Sequence, residues 1–78
     1  MFYVYILYSA RLNSYYAGST NDLTDRIHRH NTGQSKYTRK GVPWELVYVE
    51  TLPSRSLAVQ LERKIKKRGI KRFLDEHR

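Results

Sequence analysis

Seven consecutive residues near the start of the chain, Phe2-Tyr3-Val4-Tyr5-Ile6-Leu7-Tyr8, offer no polar position at which a strand could turn one face to water. Rich in β-branched and ring side chains, they predict a strand covered on both faces, because a half-solvated strand would alternate apolar with polar. Residues 9–14, SARLNS, read as a turn, and residues 15–18, YYAG, as a second, shorter strand. So close a connection implies an antiparallel hairpin. Gly18 then allows the backbone to turn sharply or to approach a ligand closely.

The remaining chain completes one domain over residues 1–78. Ser19 to Asp22 supply several candidate N-caps, with Asp22 and Asp25 placed where the helix dipole favours acid. The predicted helix runs from about 22 to 30 and stops near Asn31-Thr32-Gly33. Leu23 and Ile27 form its buried stripe, and Arg26 and His30 share a row beside it. Residues 32–43 form a polar loop carrying Lys36, Tyr37, Arg39 and Lys40. Residues 44–50, WELVYVE, predict a third strand, with Trp44, Leu46 and Tyr48 on one face and Val47 and Val49 on the other. Residues 54–68 predict a helix with Leu57, Leu61 and Ile65 as its stripe, widened by Ala58 and stopped by Gly69. A short final helix covers 70–76, its Ile70, Phe73 and Leu74 sharing a face. The fold class is therefore α+β.

Charge narrows the partners. Fifteen Lys and Arg oppose seven Asp and Glu, a formal +8, and such a field attracts polyanions: nucleic acid or an anionic membrane surface. No apolar run approaches the ~20 residues that span a bilayer, and the basic helix lacks a large apolar or tryptophan face for insertion. Nucleic acid is the expected partner, and no membrane. The absence of cysteine removes disulfides and thiolate metal sites and fits a reducing compartment. Strand-like sequence begins at once, so we expect no leader and a cytoplasmic location.

Five side chains invite a chemical reading, and each has a plainer one. Tyr5 and Tyr16 are placed to share a cleft as cross-strand neighbours, or are simply sheet aromatics. Arg26 offers a planar fork for phosphate, or pairs with Asp22 one turn earlier. His30 has a pKa suited to general-base work. Glu62 stands alone among Arg63, Lys64, Lys66 and Lys67; it can hold a hydrated Mg²⁺ whose shell substrate phosphate completes, or pair with Lys66. The tract RKIKKRGIKR, 63–72, tracks a phosphate backbone or is the wet face of a helix.

The order Tyr5, Tyr16-Ala17-Gly18, Arg26 with His30, then Glu62 resembles the GIY-YIG nuclease superfamily, and most closely its small single-domain, UPF0213-like members. Tyr3-Val4-Tyr5 stands where the first signature has glycine at position 3, and alanine takes the middle of the second. No asparagine follows Asn31, where some members have one after the glutamate. The resemblance implies a three-stranded antiparallel sheet flanked by helices, one divalent ion, Mg²⁺ or Mn²⁺, and hydrolysis of a nucleic-acid phosphodiester. Tyr5 and Tyr16 would position or activate water, Arg26 would stabilise phosphate charge, His30 would act as base or orient it, and Glu62 would hold the metal. Gly18, Lys36, Tyr37, Arg39, Lys40, Lys66 and Lys67 would contact nucleic acid, DNA before RNA. An endonuclease of little sequence preference, with a protein partner adding specificity, is the expectation. A binding module that keeps the scaffold without cleaving is the alternative, and a partner-binding protein with an exposed Trp44, Phe73 and Leu74 patch is a third.

Overall fold

The computed structural model describes residues 1–77. The elements are β1 (Phe2–Ser9), β2 (Ser14–Thr20), α1 (Leu23–Asn31), a 3-10 turn (Arg39–Gly41), β3 (Trp44–Leu52), α2 (Arg55–Arg68) and α3 (Ile70–Glu76). The three strands form one antiparallel sheet in the order β2-β1-β3, so the wholly apolar strand is the central one. The turn between β1 and β2 is braced by the Tyr8 hydroxyl, which donates to Asn13 Oδ1 at 2.9 Å.

Alternation along β1 creates two cores. Val4 and Ile6 point to one face, where they meet Ala17, Ala58, Ile65, Phe73 and Leu74 beneath α2 and α3. Tyr5 and Leu7 point to the other, where they meet Trp44, with Leu23 and Ile27 of α1 and Val42 packed around them. The expectation of a doubly covered strand is met, since Val4 to Leu7 are wholly buried.

Helices α1 and α2 each start where a side chain can satisfy their first amides. Asp22 Oδ1 accepts from the Asp25 N–H at 3.0 Å, and Ser54 Oγ from the Leu57 N–H at 3.2 Å. Helix α2 ends at Gly69, whose φ of +96° lies where side-chain-bearing residues are disfavoured. The chain turns there into α3, and Phe73 meets the Tyr48 ring edge-on at 5.3 Å.

Three expectations need correction. Trp44, Leu46 and Tyr48 do not share a face: the register on β1 slips between Ile6 and Leu7, pairing Ile6 with Tyr48 but Leu7 with Leu46. The extra residue, Val47, is a bulge, and it flips every later side chain of β3 to the other side. Leu57 lies outside the buried stripe of α2 at 43% exposure; Ala58, Leu61 and Ile65 make that contact. Trp44, Phe73 and Leu74 are buried, so they form no exposed patch.

Strand β3 is an edge, and Leu46, Val47 and Val49 on it are exposed. Its first residue is covered. Asn31 at the end of α1 accepts from the Trp44 N–H at 2.6 Å and donates to the Trp44 carbonyl at 3.2 Å, imitating a paired strand. Among the described residues no helix is long and apolar enough to cross a membrane.

Candidate active site

The hairpin register sets Tyr5 opposite Gly18 and Leu7 opposite Tyr16, so the two phenols are diagonal neighbours on one face, their ring centroids 6.5 Å apart. The ring of Tyr5 lies across Gly18. A Cβ at that position would stand 2.6 Å from the Tyr5 hydroxyl oxygen, so only glycine leaves room for the phenol to reach the β2 edge. Gly18 is itself buried, and its missing side chain makes room for Tyr5 inside the protein, where the sequence offers a sharp turn or a close approach to a ligand.

His30 reaches the same hydroxyl from the last turn of α1. Its Nε2 is 3.0 Å from the Tyr5 oxygen and its Nδ1 is 2.7 Å from Thr38 Oγ1. The Thr38 carbonyl in turn accepts from the Trp44 indole N–H at 2.6 Å. Tyr5, His30 and Thr38 are each at most 2% exposed. The result is a buried polar chain with both imidazole nitrogens engaged. Tyr16 closes the group, its ring 5.0 Å from that of His30.

The surroundings set protonation. Burial, helped by the positive charge of Arg26, holds His30 below the usual histidine range. It is therefore neutral at neutral pH, with one nitrogen able to accept. When Nε2 accepts from the Tyr5 hydroxyl, the ring proton sits on Nδ1 and is donated to Thr38. Burial, then the neighbouring Tyr16, pushes Tyr5 up to about 12; Arg26 opposes this by favouring the ionised oxygen, and the charge of Glu62 adds to it slightly. Tyr5 is a neutral phenol at rest.

Arg26 stands between this buried chain and solvent. It is half-buried and, with Tyr16, Arg29, His30, Gln34 and Ser35, lines an open cleft of about 250 Å³. The alternative pairing of Arg26 with Asp22 is not formed among the described residues. Asp22 caps the helix, and the helical ion pair is Asp25 with Arg29 at 2.9 Å.

Glu62 comes from the other side of the sheet. Ser19 is opposite Val4 and so faces the aliphatic core, and its hydroxyl donates to Glu62 Oε1 at 2.7 Å. The carboxylate thus reaches the β2 edge one residue from Gly18, near enough for its charge to act on Tyr5 across the sheet. Its other oxygen takes Lys66 Nζ at 2.7 Å, the ion pair that the plainer reading foresaw. The described residues contain no group of three or more His, Cys, Asp or Glu able to hold a metal. One carboxylate fits a hard ion that keeps most of its waters and takes phosphate oxygens, with Lys66 as its competitor.

The expected nucleic-acid contacts divide. Lys36, Tyr37, Arg39 and Lys40 are exposed around Thr38, with the Tyr37 ring 88% accessible beside the cleft. Lys66 is engaged with Glu62, and Lys67 lies elsewhere, in a groove with Lys64, Arg68 and Arg72. Thr38 and Ser19 were not foreseen. Their hydroxyls acquire a role only through residues 8 and 43 positions away, which no local pattern announces.

Residues 1–73 match the family described as the GIY-YIG catalytic domain. The chain is 38% identical over 80 residues to a UPF0213 protein of Bacillus licheniformis, a match covering 97% of this chain and 81% of the relative. It is 46% identical over 65 residues to a UPF0213 protein of Oceanobacillus iheyensis, covering 82% and 74% of the two. A UPF0213 protein of Bacillus halodurans solved by solution NMR superposes with a TM-score of 0.59 at 35% identity, over 96% of this chain and 81% of that one.

Proposed function

The chain belongs to the GIY-YIG catalytic-domain family, among its small UPF0213 members, and from that premise we propose that it is a metal-dependent endonuclease acting on DNA with little sequence preference. The observation that carries the proposal is that Tyr16, Arg26 and His30 line one cleft with buried Tyr5 bonded to His30 behind them, while Glu62 reaches the neighbouring β2 edge, near enough for its charge to act on Tyr5.

Each residue has a task that its surroundings permit. Arg26 binds the scissile phosphate through its planar fork and opposes the negative charge that grows on the phosphoryl oxygens. Neutral His30 accepts a hydrogen bond from the Tyr5 hydroxyl at Nε2 while its Nδ1 proton is steadied by Thr38. That fixes the phenol's proton toward the imidazole, so that its oxygen lone pairs and Tyr16 orient an attacking water. Glu62 would hold Mg²⁺ or Mn²⁺, moving Lys66 aside, and Ser19 fixes the carboxylate while it does so. Such an ion supplies Lewis-acid polarisation of the phosphate when bound. Lys36, Tyr37, Arg39 and Lys40 hold the adjoining strand by charge and stacking. A chain this short leaves little room for base-reading elements, so specificity falls to a protein partner. A cysteine-free chain suits the cytoplasm, where we place it.

The test is purified protein with labelled linear, single-stranded and branched DNA, and matched RNA, in Mg²⁺, Mn²⁺ or chelator. Metal-dependent cutting that Glu62→Ala abolishes supports the reading; cutting that survives this change equally well ends it. The Lys66–Glu62 pair, which occupies the metal-holding oxygen, favours a second reading, a binding module without turnover. That reading predicts salt-sensitive binding and intact DNA under every metal condition.

A further inference from the structure

The basic tract at the C-terminal end of the chain reads as one surface in the sequence. In three dimensions it splits. Lys66 turns toward Glu62. Lys64, Lys67 and Arg68, with Arg72 of α3, line a separate open groove of about 330 Å³. At ~100° per residue, Lys64, Lys67 and Arg68 lie about 140° to 240° round α2 from Glu62, on the far flank of the helix.

Two features keep the groove cationic. The acid at its end, Glu76, is held by both arms of Arg68, with Arg68 Nε donating to Oε1 at 2.9 Å. Lys64, Lys67 and Arg72 form no salt bridge among the described residues, and the nearby Asp75 is taken by Lys71 at 3.9 Å. The Arg68–Glu76 bridge also links the end of α2 to the end of α3. Three free cations on rigid helices suit a row of phosphates, each contact releasing condensed counterions.

We propose that this groove is a second nucleic-acid backbone site, which holds a segment distinct from the one in the tyrosine cleft. It rests on the nucleic-acid part of the preceding reading. The Arg26 cleft lies with α1 on the Tyr5 face of the sheet and α2 covers the Val4/Ile6 face, so a straight duplex on that cleft is separated from the groove by the sheet. The two sites therefore take two arms of one substrate, or two separate duplexes.

The experiment uses the full chain at low ionic strength, without divalent metal, titrated with a DNA duplex of about one helical turn (~10 base pairs). Sedimentation gives stoichiometry and amide NMR gives location. We expect two duplexes per chain, with resonances of 64–72 and of 26–38 shifting as two sets with different concentration dependence. The exposed-surface variant Lys64→Gln/Lys67→Gln/Arg72→Gln, its fold checked by circular dichroism, should bind one duplex. It should weaken the 64–72 set tenfold or more, lower that site's log–log salt slope by about 0.9 per lost contact, and leave the 26–38 set within about twofold. One duplex per chain that leaves the 64–72 set unmoved, an unaltered 64–72 set in the variant, or saturation of that set by poly-glutamate but not by DNA would overturn the groove site. A duplex that moves the 64–72 set alone leaves the groove standing and removes the tyrosine cleft as a DNA site.

Discussion

The two faces of one strand make an instructive pair. Val4 and Ile6 look into a core of aliphatic and phenylalanine side chains under α2 and α3, with no polar partner to satisfy. Tyr5, one residue away, looks into a core in which a phenol, an imidazole, a threonine and an indole are hydrogen-bonded in series. Both are buried, and every buried side-chain polar atom among the described residues has a partner. They differ in what holds them. The first depends on burial, which is non-directional and forgiving of small shifts. The second depends on geometry, where a lost partner strands a buried polar group. Adjacent residues on β1 should therefore fail in different ways.

The largest expected effect tests the aliphatic side. Phe73→Ala empties a buried site and should cost about 3–5 kcal/mol of unfolding free energy, a large share for so small a domain. Denaturant titration measures it, and activity at low temperature should persist while the protein stays folded. Arg26→Ala should do the reverse. Its guanidinium neighbours the Tyr5 hydroxyl but its side chain belongs to neither apolar cluster, so the melting temperature should move little while cleavage falls about 10²–10³-fold; a comparable loss of stability would erase the distinction between the faces. Gly18→Ala pushes a methyl against the Tyr5 hydroxyl and should cost about 1–3 kcal/mol, together with activity. It is the one change expected to injure both, because the site and the hairpin meet there. Thr38→Val removes the partner of His30 Nδ1 and should cost about 1 kcal/mol, with recovery in Thr38→Ser. An altered His30 tautomer signature in ¹⁵N NMR separates this from simple loosening of the loop.

The smallest effect is in pH. His30 sits below the ordinary 6.5 in the fold, so the unfolded chain binds the extra proton first as pH falls. The stability that comes from a neutral His30 is whole above about 6.5 and drains away as pH drops from there toward its folded value. Urea midpoints between pH 5 and 7.5 should fall on the acid side, and His30→Gln should flatten that dependence.

Much of this was legible in the chain. The apolar run at Phe2–Tyr8 announced a covered strand, Ser19 to Asp22 a helix start, and Gly69 a stop. Arg26 and His30 were placed together by a single helical turn. What escaped notice has one cause in common. Thr38 and Ser19 look like loop and cap residues until the fold brings His30 and Glu62 to them. The slip at Val47 is set by pairing with β1, not by β3's own alternation, so Tyr48 was assigned to the wrong face. Leu57 matched the spacing of a stripe, but the helix lies one row over, on Ala58 and Leu61. Local pattern fixes what an element is; which neighbour it meets comes from the tertiary arrangement.

The bare rail of β3 carries a further consequence. Leu46, Val47 and Val49 are exposed along a sheet margin whose backbone is plugged by Asn31 only at Trp44. In free solution, eight surplus positive charges push copies apart before those margins can meet. A polyanion that balances this charge removes the repulsion, so turbidity should peak near charge neutrality and clear again with polyanion in excess.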